Sequence, residues 1–170
     1  RVLYARAADF LLLKPERLTS EEFEIIKTHT TIGADILSGS KAEVLKIAHE
    51  IALNHHEKWN GKGYPNGLVE NDIPITGRIV GIVDTFDALT SKRPYKDPYP
   101  LEVALEIIQS ERGKHFDPGL VDVFIANIDG LEAIKHEVGV AEDVSLVDFV
   151  WSERDREAQL DQRISVNGGR

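Results

Sequence analysis

The stretch Lys41-Ala42-Glu43-Val44-Leu45-Lys46-Ile47-Ala48-His49-Glu50-Ile51-Ala52-Leu53-Asn54-His55-His56-Glu57, followed by Lys58-Trp59-Asn60-Gly61-Lys62-Gly63-Tyr64-Pro65, decides the fold. Val44, Leu45, Ala48, Ile51 and Ala52 recur at the spacing of one helix face, so a helix is expected from about Lys41 to Glu57. Residues 58–77 then carry Gly61, Gly63, Gly67 and Gly77 with Pro65 and Pro74, which is loop composition. A loop this long inside a compact domain is usually functional. Upstream, Thr19-Ser20-Glu21-Glu22 is a capping box opening a helix. Phe23, Ile25, Ile26, Ile32, Ile36 and Leu37 carry that helix to Ser38-Gly39. Downstream, helices are expected over about Arg78–Leu89, Leu101–Glu111 and Pro118–Ile128, with Pro118 suited to a first turn. Strand signals are scarce. The expected fold is all-α, a multi-helix bundle with a long Gly/Pro-rich loop. Residues 1–128 read as one domain; beyond Asp129-Gly130 the chain turns charged and weakly periodic, so 129–170 read as a helical appendage or linker.

Composition sets the outer limits. The 170 residues are enough for a real core. There is no cysteine, which excludes disulfides, thiolate zinc, a cysteine nucleophile and iron–sulfur clusters. A metal must therefore be held by His, Asp or Glu. The formal charge of −9 argues against coating a nucleic-acid polymer, which takes a basic face. No apolar run approaches the roughly 18 residues of a membrane span, and no secretory leader is evident. The chain holds no Met, so an upstream segment is expected.

The histidines are unevenly placed. His29 lies four residues after Ile25 and three before Ile32, on the apolar stripe of its helix. His55 lies three after Ala52 and seven after Ala48, and His56 follows it. Asp84 interrupts an apolar helix between Val83 and Phe86. Three imidazoles and a carboxylate on inward faces of successive helices are how a bundle builds a metal site, and this donor set suits Fe, Mn, Zn or Ni rather than Ca. Each also has an ordinary reading: His29 as a hydrogen-bonded core residue, the His pair as partners of terminal carbonyls, Asp84 as an intrahelical salt-bridge partner. The residues alone leave both open. His49, His115 and His136 read as structural or surface residues. Tyr64 and Trp59 offer stacking faces within a loop whose glycines allow close backbone approach, or pack it internally. Arg93 and Lys96 read as a phosphate-binding pair or as solvated charges.

Taken together, His55-His56-Glu57, Asn60-Gly61-Lys62-Gly63-Tyr64-Pro65, Asp84-Thr85-Phe86-Asp87-Ala88-Leu89-Thr90 and Arg93-Pro94-Tyr95-Lys96 resemble the HD-GYP domain family. Leu13-Lys14-Pro15, Lys27-Thr28-His29-Thr30 and Lys114-His115-Phe116-Asp117-Pro118 agree, and the likeness covers about residues 9–128. The family is an all-helical, metal-dependent group of phosphohydrolases that typically hydrolyse cyclic di-GMP or related cyclic dinucleotides in bacterial signalling. The resemblance implies that His29, His55, His56 and Asp84 are metal ligands for iron or manganese, with one or two ions expected here. It implies that Gly61, Gly63, Tyr64 and Pro65 form the signature loop, and that Arg93, Lys96 and Tyr64 meet the substrate. The attacking group would be a metal-bound water, with no side-chain base assigned. It further implies an upstream sensory or response-regulator receiver module, a signalling-protein partner for the Gly-Tyr-Pro loop and a cytoplasmic setting.

The sequence also departs from the family pattern. Read back without a gap, the namesake Asp falls at Arg1 and the following Lys at Tyr4, and the namesake His precedes residue 1. Asn60 stands where Asp is usual. Losing the bridging Asp would leave His29, His55 and His56 as a three-imidazole site and Asp84 without its bridge. The expected function is therefore a cyclic di-GMP phosphodiesterase domain, impaired in the chain as it stands. The alternative is a degenerate domain that binds the dinucleotide or a protein partner without turnover.

Overall fold

The computed structural model describes residues 18–92 and 97–131. Those from Thr28 onward lie in one compact unit and residues 18–27 in another. The helices among the described residues are α1 (Ser20–Leu37), α2 (Glu43–Asn54), α3 (Ile75–Thr90), α4 (Leu101–Ser110) and α5 (Pro118–Ala126), with a 3-10 turn at Glu70–Asp72. No strand occurs among these residues, only isolated bridges between Asn60 and Val69 and between Arg112 and Phe116. The all-α expectation holds. The expectations for Arg1, Tyr4, the Ala7–Pro15 stretch, Arg93, Lys96 and nearly all of the appendage lie outside the described residues.

The capping box forms as the sequence dictates. The Thr19 amide donates to Glu22 Oε2 at 2.7 Å and the Glu22 amide to Thr19 Oγ1 at 3.2 Å. Gly39, at φ +79°, follows the end of α1. α5 opens with Pro118 in its first turn and Asp117 as its cap, whose carboxylate accepts from the Gly119 and Leu120 amides.

The core gathers the last three helices. Ile82, Phe86 and Leu89 of α3 meet Ala104 and Ile108 of α4, Phe116, and Val121 and Phe124 of α5. The Phe86 and Phe124 rings meet edge to face at 5.2 Å. Leu131 packs against the same cluster.

Three expectations need correction. α2 stops at Asn54, not Glu57, because the chain turns there: the Glu57 amide reaches back to Asn54 O at 3.0 Å. α3 begins at Ile75, not Arg78. Pro74 caps it and Gly77 is helical, so two residues that read as breakers belong to a helix start. Val44 and Leu45, expected on the buried face of α2, are 70% and 39% exposed. That helix is buried at its other end, through Asn54.

Candidate metal centre

Two glycines of α3 bring that helix onto the end of α2. A Cβ on Gly77 would stand 2.9 Å from Asn54 Cβ, and one on Gly81 would stand 3.0 Å from His55 O. α1 reaches the other side of α2, with Gly33 against Ala52. His29 on α1 and the His55–His56 pair at the end of α2 thereby converge. One ring nitrogen from each lies within 4.8 Å of the others. His29 Nε2 and His55 Nε2 are 3.3 Å apart. His56 is buried and the other two half-buried.

The local backbone selects the chemistry of these rings. His55 Nδ1 lies 2.9 Å from Ile51 O and 3.1 Å from Ala52 O, both acceptors. Nδ1 therefore carries the proton, and Nε2 presents its lone pair to the cluster. For His56, burial first and then the neighbouring His55, His29, His115 and Lys58 hold the imidazole far below its ordinary pKa. It stays neutral at physiological pH, as a metal ligand must. Two nitrogens about 2.1 Å from one tetrahedrally bound ion lie roughly 3.4 Å apart. The 3.3 Å separation matches that, so these residues fit a divalent transition metal.

Asp84 is the remaining candidate ligand. It is half-buried, on the α3 stripe of Gly77 and Gly81, and the metal-capable group among the described residues is His29, His55 and His56. Tyr64 lies beside the centre. Its ring stacks on His56 at 4.9 Å and 28°, so one of its faces is already used within the protein. The Tyr64–Pro65 peptide is cis.

The signature loop is fastened from several sides. Its base is tied to the turn before α5, where the Trp59 and Asn60 amides donate to His115 O and Lys114 O, both at 2.9 Å. The Glu70 amide returns to Trp59 O at 2.9 Å. Gly63 lies where a Cβ would be 2.2 Å from Lys58 N and 2.4 Å from Glu57 Cα, so no side chain fits. Glu57, read from sequence as the last residue of a helix, has another task. Its buried carboxylate accepts from the Asn66 amide at 2.7 Å and the Leu68 amide at 3.0 Å.

Beneath the loop lies a cavity of about one water molecule's size, lined by Glu57, Trp59, Arg78, His115 and Asp117 among others. Arg78 pairs with Asp117 at 2.7 Å and lies 5.8 Å over the Trp59 ring, so Trp59 packs inward. Burial above all, then Lys58, pushes the His115 imidazole well below its ordinary value. Sequence reasoning assigned no role to Glu57, Arg78, Gly77 or Gly81. A buried acid directly after the His pair was the available signal for Glu57.

The comparisons with known proteins agree with this geometry. The HD domain model matches residues 10–120. A cyclic di-GMP phosphodiesterase of Thermotoga maritima is 56% identical over 117 residues, covering 69% of this chain and 32% of that protein. A 3'3'-cGAMP-specific phosphodiesterase of Vibrio cholerae is 46% identical, covering 75% of this chain and 24% of its own length. A cyclic di-GMP phosphodiesterase response regulator of Xanthomonas campestris is 44% identical, with 78% and 35% covered. A crystal structure of a cyclic GMP-AMP-specific phosphodiesterase of Vibrio cholerae aligns with a TM-score of 0.52 at 23% identity, covering 78% of this chain and 34% of that one, and shows a shared fold. The chain belongs to the HD domain family, in its HD-GYP branch. It spans about a quarter to a third of these relatives' length. HD phosphohydrolases are metal-dependent, and a cluster of three imidazoles is present here. No helix among the described residues is long and apolar enough to cross a membrane.

Proposed function

We propose that this chain is the phosphodiesterase domain of a bacterial signalling protein acting on cyclic di-GMP or a related cyclic dinucleotide. The observation that carries the reading is the convergence of His29, His55 and His56 under a glycine-rich loop that lays Tyr64 on His56. His29, His55 and His56 would hold iron or manganese, and Asp84 would serve a second ion. Bound there, such an ion supplies Lewis acidity toward a phosphodiester. The chain's own residues supply the rest. His55 Nδ1 keeps its proton on backbone carbonyls, which fixes the ring's direction. Arg93 binds a phosphate through its planar fork and Lys96 as a point charge. Residues 1–128 form the domain, residues 129–170 an appendage, and the setting is cytoplasmic with an upstream receiver or sensor module. The names of the relatives support both substrates, cyclic di-GMP and 3'3'-cGAMP.

The test is anaerobic preparation of the chain with Mn(II) or Fe(II), measuring metal content and the hydrolysis of both dinucleotides. Turnover of either with bound metal supports the reading. Dinucleotide binding without turnover moves it to a regulatory module, and neither binding nor turnover overturns it. Arg93→Ala is expected to weaken dinucleotide binding without altering the helical content; unchanged affinity removes Arg93 from the site.

A further inference from the structure

We infer that Glu57 is a positioning residue: by clamping the signature loop it holds His56 in the orientation that lets the three imidazoles bind a metal. The inference rests on reading the cluster as a metal centre. Glu57 directly follows His56, and its side chain turns away from the cluster into the loop. Its two oxygens take the amides of Asn66 and Leu68, nine and eleven residues ahead. That closes the loop back on its own origin. Within the closed ring the Tyr64 amide donates to His56 O at 3.2 Å, and the Tyr64 ring lies over the His56 ring. Gly63 presses against the Lys58 amide and Glu57 Cα, which only a glycine allows. His56 is thus held by its own carbonyl, by a ring stacked on its face, and by a neighbour anchored at both oxygens. Remove the anchor and the bonds at the loop base remain, from Trp59 and Asn60 to residues 115 and 114 and from Glu70 to Trp59. The loosening is confined to residues 62–68, the part that carries Tyr64.

A carboxylate that only stabilised the fold would change melting and leave metal affinity per folded molecule alone. Groups that orient a metal ligand from behind typically change affinity by 10–100-fold when removed. The experiment compares the chain with its Glu57→Ala and Glu57→Gln variants. Mn(II) affinity is read by titration, folding by circular dichroism and urea, and loop closure by amide hydrogen exchange. Glu57→Gln keeps one acceptor and sets an NH2 against an amide donor, so it serves if Glu57→Ala does not fold. The expected result is a roughly 10–100-fold weaker Mn(II) affinity. It comes with faster exchange at Asn66 and Leu68 and unchanged exchange at Trp59, Asn60 and Glu70. A folded variant that has lost protection at Asn66 and Leu68 but binds Mn(II) like the parent overturns the inference. So does undiminished protection at those amides. Failure of the parent chain itself to bind Mn(II) sinks the metal reading instead, and with it the inference.

Discussion

Among the described glycines, Gly63 has the least room for a side chain, and Gly63→Ala tests the loop directly. The added Cβ would lie 2.2 Å from Lys58 N, 2.4 Å from Glu57 Cα and 2.6 Å from Glu57 C. These are backbone atoms and cannot swing aside. Reaching the 3.4 Å of ordinary contact requires about 1.2 Å of movement at residue 63. Tyr64 is the next residue, and its 3.2 Å bond to His56 O cannot survive such a shift. Overpacking of this kind costs about 1–3 kcal/mol, and the lost bond about 1 more. The folded state would lose roughly 2–4 kcal/mol if the loop stayed closed. The loop has a cheaper response, which is to release residues 62–68 from their seat while its base stays tied to residues 114 and 115. The loss is then limited to the free energy of closing the loop, and the damage falls on the site. Urea unfolding and amide exchange separate the two responses. Either the midpoint drops, or the Tyr64, Asn66 and Leu68 amides exchange faster at an unchanged midpoint. A Gly63→Ala chain with parental stability, parental exchange at those amides and parental Mn(II) affinity would show that residue 63 does not control the loop.

Two further outcomes follow from the surroundings of the loop. His115 is buried with its pKa well below the ordinary 6.5, so the unfolded chain binds a proton that the folded chain refuses as pH falls through 6.5. Stability should therefore decline from pH 7 to pH 5, by at most about 1.4 kcal/mol per pH unit for this group. Urea titrations of metal-free His115→Gln should show a shallower decline; an identical slope removes His115 as the cause. Asp117→Ala takes away the α5 cap and leaves Arg78 without its carboxylate in a mostly buried position. The expected cost is about 2–4 kcal/mol from a cap and a charged hydrogen bond together. Since the two residues share one interaction, adding Arg78→Met should cost less than the two single changes summed, as a urea double-mutant cycle would show; simple additivity counts against the pair.

Much of this was legible in the sequence because helix and cap signals are local. Thr19 and Glu22 form the expected capping box, Pro118 sits in the expected first turn, and α1, α4 and α5 end within two residues of the predicted places. The His29, His55 and His56 convergence was readable from their positions on apolar stripes. What the sequence hid depends on contacts between distant segments. Pro74 and Gly77 read as loop until Asn54 is seen against Gly77. Val44 and Leu45 satisfy a helical period, yet periodicity does not say which stretch of a helix is covered. Glu57 looked like one more polar helix residue because its partners are nine and eleven residues away. Asp84 lies on the right stripe, and helical spacing alone does not give its distance from the imidazoles.

The metal centre proposed at His29, His55 and His56 stands or falls on ion binding. The most direct test is Mn(II) or Fe(II) binding by the metal-free chain, set beside His55→Ala, with folding checked by circular dichroism. The expected result is at least one ion bound per chain and a sharp loss of that ion in a His55→Ala variant that keeps its helical content. Equal metal binding by the parent chain and the folded variant would contradict it.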